Sequence, residues 1–238
     1  MGMANMILLG SVVNSLAIIG GSLLGTILRN ISEQTKDTVT KGIGLGVIAL
    51  GLQMAVKTDS FTLIIISLCL GAMVGEGLKI ETGMNRFGLF LQKHFAKTNG
   101  NFAEGFVTST LIFVIGSMGI IGAIQSGVSG NHQTLYTKAV MDGFMAIMLT
   151  ASLGLGVLFS SLPVFIYQGL ITLLASVLVS YVPHTLLTIL MAGISQIGGL
   201  LIVAIGLNII KLTKIRVSNF LPSLVILVLF LTLKYLYF

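Results

Sequence analysis

Apolar runs of about 20 residues, the length a helix needs to cross a bilayer, alternate with short charged stretches from one end of this chain to the other. That alternation constrains the fold more than any motif. Only 8% of the 238 residues are charged, and the mean hydropathy is +1.05. A soluble domain carries roughly 25% charged residues, so this chain could not cover a water-facing surface with polar groups. The expected class is all-α: a polytopic transmembrane helical bundle of about eight spans. Met1–Met6 holds no Lys or Arg, so the first run is expected to be a retained span and not a cleaved signal peptide. Cys69 stands alone and excludes an intrachain disulfide.

The spans are expected at Met6–Leu28, Gly42–Val56, Phe61–Lys79, Glu104–Gln125, Lys138–Ser160, Pro163–Val182, Thr185–Ile209 and Ser218–Tyr237. Pro163 and Pro222 sit in first helical turns and Pro183 falls between spans, the places where proline is tolerated. Tyr136, Tyr167, Tyr181, Tyr235 and Tyr237 all lie near proposed span ends, as an interfacial aromatic belt would place them.

Lys and Arg set the expected orientation. With the N-terminus outside, Arg29, Lys36, Lys41, Lys79, Arg86, Lys93, Lys97, Lys211, Lys214 and Arg216 are inside, and only Lys57, Lys138 and Lys234 are outside. This is a strong positive-inside bias, and it puts both termini outside an inner (cytoplasmic) membrane. The net charge of +6 is thereby read as topology and not as a nucleic-acid signal. A second regularity supports the frame. Ile19–Ile27 aligns without gaps on Gly116–Ile124, and the same shift sets Thr40-Lys41 on Thr137-Lys138. Three spans per copy is an odd number, so the second copy enters from the opposite side. That is an inverted repeat, common among secondary transporters. The expected organisation is repeat one over residues 1–80, an amphipathic cytoplasmic helix over 81–97, repeat two over 98–182 and two closing helices over 183–238. In the linker helix Met84, Phe87, Leu91 and Phe95 share a face opposite Arg86, Lys93 and Lys97, which suits a helix lying on a leaflet. Small residues recur at four-residue spacing in Ala17-Gly21-Gly25, Gly42-Gly46, Gly71-Gly75 and Ala139-Gly143. Such stripes let helix backbones approach closely in lipid, within one bundle or across a homodimer seam.

The chain has no HExxH, GxSxG, P-loop or cysteine cluster, so the expectation is a non-enzyme without a cofactor; a metal is left undecided. The informative residues are polar groups inside spans. Asn14 and Gln196 lie near the middles of the first and seventh runs, Ser117 and Gln125 lie toward the end of the fourth, and Gln168 is one turn into the sixth. Asp142 is an acid within the fifth, opposite Leu45 in the repeat alignment, with Lys138 one turn earlier. A carboxylate inside a span costs about 2.5–3.5 kcal/mol on insertion scales and usually marks an ion or proton path. An ordinary ion pair with Lys138 is the structural alternative, and for the amides it is simple helix pairing. Glu104 suits a helix start. Glu76, near a helix end, has only Lys79 close in sequence.

Taken together, several stretches resemble one family of bacterial membrane proteins, the domain-of-unknown-function 554 family (YqgA/YdfK-like). The stretches are GSVVNSLAIIGGSLLG around Asn14, GEG at Gly75–Gly77, EGF at Glu104–Phe106, GSMGIIGAIQSG and KAVMDGF at Lys138–Phe144. SLGLGVLFSSLPVFIYQG at Ser152–Gly169, GISQIGGLLIVAIGLNII and RVSNFLP at Arg216–Pro222 complete the set, which covers essentially the whole chain. The resemblance implies a multi-pass membrane protein and assigns no activity.

The residues themselves point to movement of a small solute or ion. Asp142 is expected to bear the charge, with Lys138 as its exchangeable partner and Asn14, Ser117 and Gln196 as polar contacts. The rival is a non-transporting structural or regulatory membrane protein whose polar residues only hold helices together.

Overall fold

A computed structural model describes residues 7–27, 32–56, 61–95 and 102–237. Helices account for nearly all of them: α1 (Leu9–Ile27), α2 (Glu33–Ala55), α3 (Phe61–Leu78), α4 (Ile80–Phe95), α5 (Phe102–Val114) and α6 (Ser117–Ser129). They continue as α7 (Gln133–Leu153), the short α8 (Gly156–Phe159), α9 (Ser161–Tyr181), α10 (His184–Ile209), a 3-10 turn (Val217–Phe220) and α11 (Pro222–Tyr237). Arg29, Lys57 and Lys97, three of the charges used for orientation, lie outside the described residues.

Six of these segments are long and apolar enough to cross a membrane, and the bent pair α5–α6 makes a seventh if counted as one span. The chain is thus an all-α multi-pass helical protein. Three boundaries depart from the sequence expectation. First, α2 starts nine residues before Gly42, because Ser32 caps it: its Oγ accepts the Thr35 backbone N–H at 3.2 Å, satisfying an orphan donor of the first turn. Second, the expected span Glu104–Gln125 is two helices bent by 61°. The break falls at Gly116, whose φ of 141° lies in a region that suits glycine and strains other residues. Third, the expected span Lys138–Ser160 begins at Gln133 and stops at Leu153, where Gly154 turns the chain with φ 89°. Helix α7 is long enough to span but is not among the apolar segments, since Gln133, Thr134, Lys138 and Asp142 fall within it.

The chain divides into two compact units. The first comprises Met1–Thr40, Phe87–Val114 and Met118–Tyr181, and the second Lys41–Arg86, Ile115–Ser117 and Val182–Phe238. In the first, the usual amphipathic arrangement is reversed. Helix α1 buries Gly10, Ser11, Asn14, Ser15, Ile18, Gly21, Ser22 and Gly25 and exposes Leu16, Leu23, Leu24 and Ile27. Helix α9 likewise buries Ser161, Gln168, Gly169 and Thr172 and exposes Leu162, Ile166, Leu170 and Leu173. Lipid tails are as apolar as leucine, so leucines gain nothing by turning inward, whereas small residues gain backbone contact and polar ones gain partners.

That contact is most extensive between α1 and α7, which run parallel. A methyl group on Gly21 would overlap the carbonyl oxygen of Gly143, and one on Gly25 would lie 2.5 Å from that of Ile147. Helices α6 and α9 meet the same way, Gly127 against the Thr172 carbonyl. The second unit repeats the device. Gly51 and Gly199 each face the other's carbonyl, at 2.6 and 2.5 Å from a would-be methyl, and Gly71 packs on Ser223. Two stripes offered by the sequence as possible seams between copies, at Gly21 and Gly71, are therefore filled by the same chain. Gly42 and Gly46 have nothing within 4 Å.

In the second unit Glu76 finds a partner that sequence distance concealed. Its carboxylate accepts from Arg216 at 2.6 Å and from the Asn219 amide at 2.5 Å, and no salt bridge to Lys79 is formed. Asn219 Oδ1 accepts the Glu81 backbone N–H at 2.7 Å, while Glu81 accepts the Ser218 backbone N–H at 3.0 Å. The GEG and RVSNFLP stretches thus lock together, and α4 and the 3-10 turn cap each other. In the first unit, the Phe87 and Phe95 rings of α4 rest on Phe106 and Phe159, with centroids 5.7 and 5.0 Å apart.

Candidate functional site

One buried polar cluster stands out in the first unit. Helix α7 carries Lys138 and Asp142 on one face because four residues make about one turn. Lys138 Nζ donates to Asp142 Oδ2 at 2.5 Å, and each side chain is 10% exposed. The pair is buried inside the unit, because α7 already begins five residues before Lys138, at Gln133. Lys138 lies in the second turn of α7, and Asp142 lies mid-helix.

Asn14 reaches the pair from α1. Its Nδ2 donates to Asp142 Oδ2 at 3.0 Å and to Gln168 Oε1 of α9 at 3.2 Å. Asn14 and Gln168 are both fully buried. The acid orients this chain of amides. A carboxylate only accepts, so Asn14 must offer it the nitrogen; the same nitrogen then requires the oxygen of Gln168. What is left over points elsewhere: Asn14 Oδ1 and Gln168 Nε2 are buried without hydrogen-bond partners. Buried polar groups are normally satisfied, so these two mark the place where the cluster is unfinished.

Helix α6 closes the other side. A methyl on Gly119 would lie 3.3 Å from Lys138 Cε, 3.6 Å from Gln168 Nε2 and 3.8 Å from the Tyr167 ring. Because α6 starts afresh after the Gly116 bend, Gly119 sits in its first turn, where backbone N–H groups have no intrahelical acceptor. An unbroken α5–α6 helix would have had none to offer. Further toward the α6–α7 connection, Thr134 donates to Gln125 Oε1 at 2.6 Å and Ser126 pairs with His132 Nδ1 at 2.7 Å. Ser11 and Thr172 add two more buried hydroxyls without partners in the same unit.

Of the expected site residues, Asn14, Lys138 and Asp142 come together. Ser117 opens α6 but is grouped with the second unit, as is Gln196, which is buried in α10. The structure adds Gln168 and Gly119. The amide of Gln168 is visible in the sequence as a polar group inside a span, but nothing there ties it to Asn14, 154 positions away. Gly119 carries no chemical signal until its neighbours are seen.

Comparison with known proteins places these features in context. A family model described as "Protein of unknown function (DUF554)" matches residues 9–232. An "Uncharacterized membrane protein YdfK" of Bacillus subtilis (strain 168) is 33% identical over 222 residues, covering 91% of this chain and 93% of its own. An "Uncharacterized protein YqgA" of Escherichia coli (strain K12) is 28% identical over 224 residues, covering 92% and 94%. No solved structure matches.

Proposed function

Since the chain belongs to the DUF554 family of proteins of unknown function, we propose a role from the cluster itself: a transporter or channel for a small solute or ion, with Asp142 as its charge-bearing group. One observation carries this reading. An ion pair, two amides and two unpartnered polar atoms are buried together in a multi-pass membrane protein. Burying such groups costs several kcal/mol unless something repays it, and ionisable groups inside membrane proteins usually mark a path for solute or ion. A helix broken beside the cluster supports the same reading, because transporter sites form where discontinuous helices free backbone groups. The test is flux: purified protein in sealed vesicles should move a labelled solute or ion that empty vesicles do not.

A second reading draws on the Asn14–Asp142 bond, which ties α1 to α7. On that reading the protein is structural or regulatory and the cluster is only a clamp. Intact stability without flux for any ion, amine or small acid would favour it. Neither reading makes the protein an enzyme or gives it a cofactor.

The proposed setting is the bacterial inner membrane, with both termini outside and α4 on the cytoplasmic leaflet. Single cysteines at positions 58, 132 and 213 in a Cys69→Ser background should report this in whole cells. An impermeant thiol reagent is expected to label 58 and 132 but not 213; the opposite pattern reverses the orientation. A homodimer is also proposed, now through the open Gly42–Gly46 face of α2 and not through Gly21 or Gly71. Mass measurement in detergent should give a dimer that Gly42→Leu/Gly46→Leu converts to monomer. A wild-type monomer at micromolar concentration rules it out.

A further inference from the structure

We propose that the cluster binds a small zwitterion, a molecule carrying an ammonium and a carboxylate a few bonds apart, such as a short α-amino acid. This rests on the transport reading and specifies its substrate class.

The argument begins with charge balance. Lys138 and Asp142 compensate each other in a buried setting, so a lone anion drawn to Lys138 leaves Asp142 uncompensated, and a lone cation does the reverse. Either outcome is costly where water is excluded. A zwitterion inserted between them supplies both opposite charges at once. The unpartnered atoms are divided in the same way. On one side, Gln168 Nε2 is a donor without an acceptor. It lies 3.6 Å from where a methyl on Gly119 would stand, beside Lys138 Cε. The first-turn N–H groups of α6 at Met118 and Gly119 add the partial positive charge of a helix start. Ammonium, amide and helix start together make a carboxylate site. On the other side, Asn14 Oδ1 is an acceptor without a donor, and its own amide nitrogen holds it against the Asp142 carboxylate. Carboxylate and amide oxygen together make an ammonium site. Gly119 lets α6 approach this side closely, since a methyl there would stand only 3.3 Å from Lys138 Cε.

The experiment uses the full-length protein in detergent and follows its melting temperature with glycine, L-alanine, L-serine, sodium acetate or methylammonium chloride. At saturation at least one of the three zwitterions should raise the midpoint by about 5 °C, and acetate, methylammonium or their mixture should not. Gln168→Leu should weaken that zwitterion about tenfold or more by removing a hydrogen bond to a charged group. Gly119→Ala should weaken it as well, and gives an independent measure should Gln168→Leu prove unstable. A comparable shift with acetate or methylammonium alone overturns the zwitterion assignment; if vesicles then carry that ion, the transport reading stands without it. No shift with any zwitterion also overturns the assignment, and flux with other solutes then decides the transport reading separately. Undiminished zwitterion binding by both variants places the ligand elsewhere and overturns it too.

Discussion

Asp142→Asn is expected to yield a membrane-inserted protein that has lost solute- or ion-dependent flux by roughly 100-fold or more, the scale of removing one member of a buried hydrogen-bonded pair. The change keeps the shape of the side chain and its capacity to bond Asn14. It removes the charge that faces Lys138 at 2.5 Å. Lys138 is then left buried without a counter-charge, so stability should fall by about 3 kcal/mol. Lys138→Gln in the same molecule removes that second charge and should recover most of the lost stability. The double variant therefore separates the two roles of the acid. It is expected to melt near wild type and still carry nothing in vesicles. Transport by either variant at the wild-type rate would show that the carboxylate serves only as half of a structural pair.

Gly21→Ala is expected to damage the fold more than its size suggests, whereas Gly20→Ala should be silent. The neighbours lie on different faces of α1. A methyl on Gly20 meets nothing within 4 Å, and one on Gly21 would overlap the Gly143 carbonyl with Ala146 Cβ 3.2 Å away. The obstacle is backbone, which cannot rotate aside as a side chain can, so α1 and α7 must part. Overpacking of this kind costs about 3 kcal/mol or more, a fall of about 6–12 °C in melting temperature for a chain of this length. The Asn14–Asp142 bond, two turns away along the same contact, should weaken with it. Equal melting temperatures for the two variants would mean that α1 and α7 are not in backbone contact.

Much of this fold is legible in the sequence, for reasons that can be named. Phe61–Leu78 begins where the apolar run begins, and Pro163, Pro183 and Pro222 stand in first turns or between helices where the ring demands it. The Lys138–Asp142 pair can be read from four-residue spacing alone. The misses share one cause: conformations that side-chain chemistry does not announce. Glu33–Lys41 looks like a solvated loop, and only the Ser32 cap reveals a helix start. Glycine is common inside membrane helices, so Gly116 and Gly154 look no different from Gly122 until their φ values are known. Glu76 is assigned Lys79 by proximity along the chain, but its partners lie 140 and 143 positions away. The clustering of Asn14 and Gln168 with Asp142 is equally a product of tertiary structure.

The glycine contacts also bear on how the cluster can open. Where two helices touch backbone to backbone, no side chains lie between them to repack, and repacking is what lets helices slide. Helices α1 and α7 therefore move as one rod, with α9 packed along α1, whereas α6 meets α9 closely where Gly127 touches the Thr172 carbonyl. Asn14, Lys138 and Asp142 belong to the α1–α7 rod, Gln168 to α9 and Gly119 to α6. Side-chain hydrogen bonds tie the neighbouring helices to it: Asn14 to Gln168 and Ser15 to the Ser161 carbonyl on α9, Thr134 to Gln125 and His132 to Ser126 on α6. Each is worth only about 1 kcal/mol net, far less than prising α1 from α7. On the proposed transport reading, opening toward Asp142 would part α6, the most lightly packed of these helices, from the α1–α7 rod.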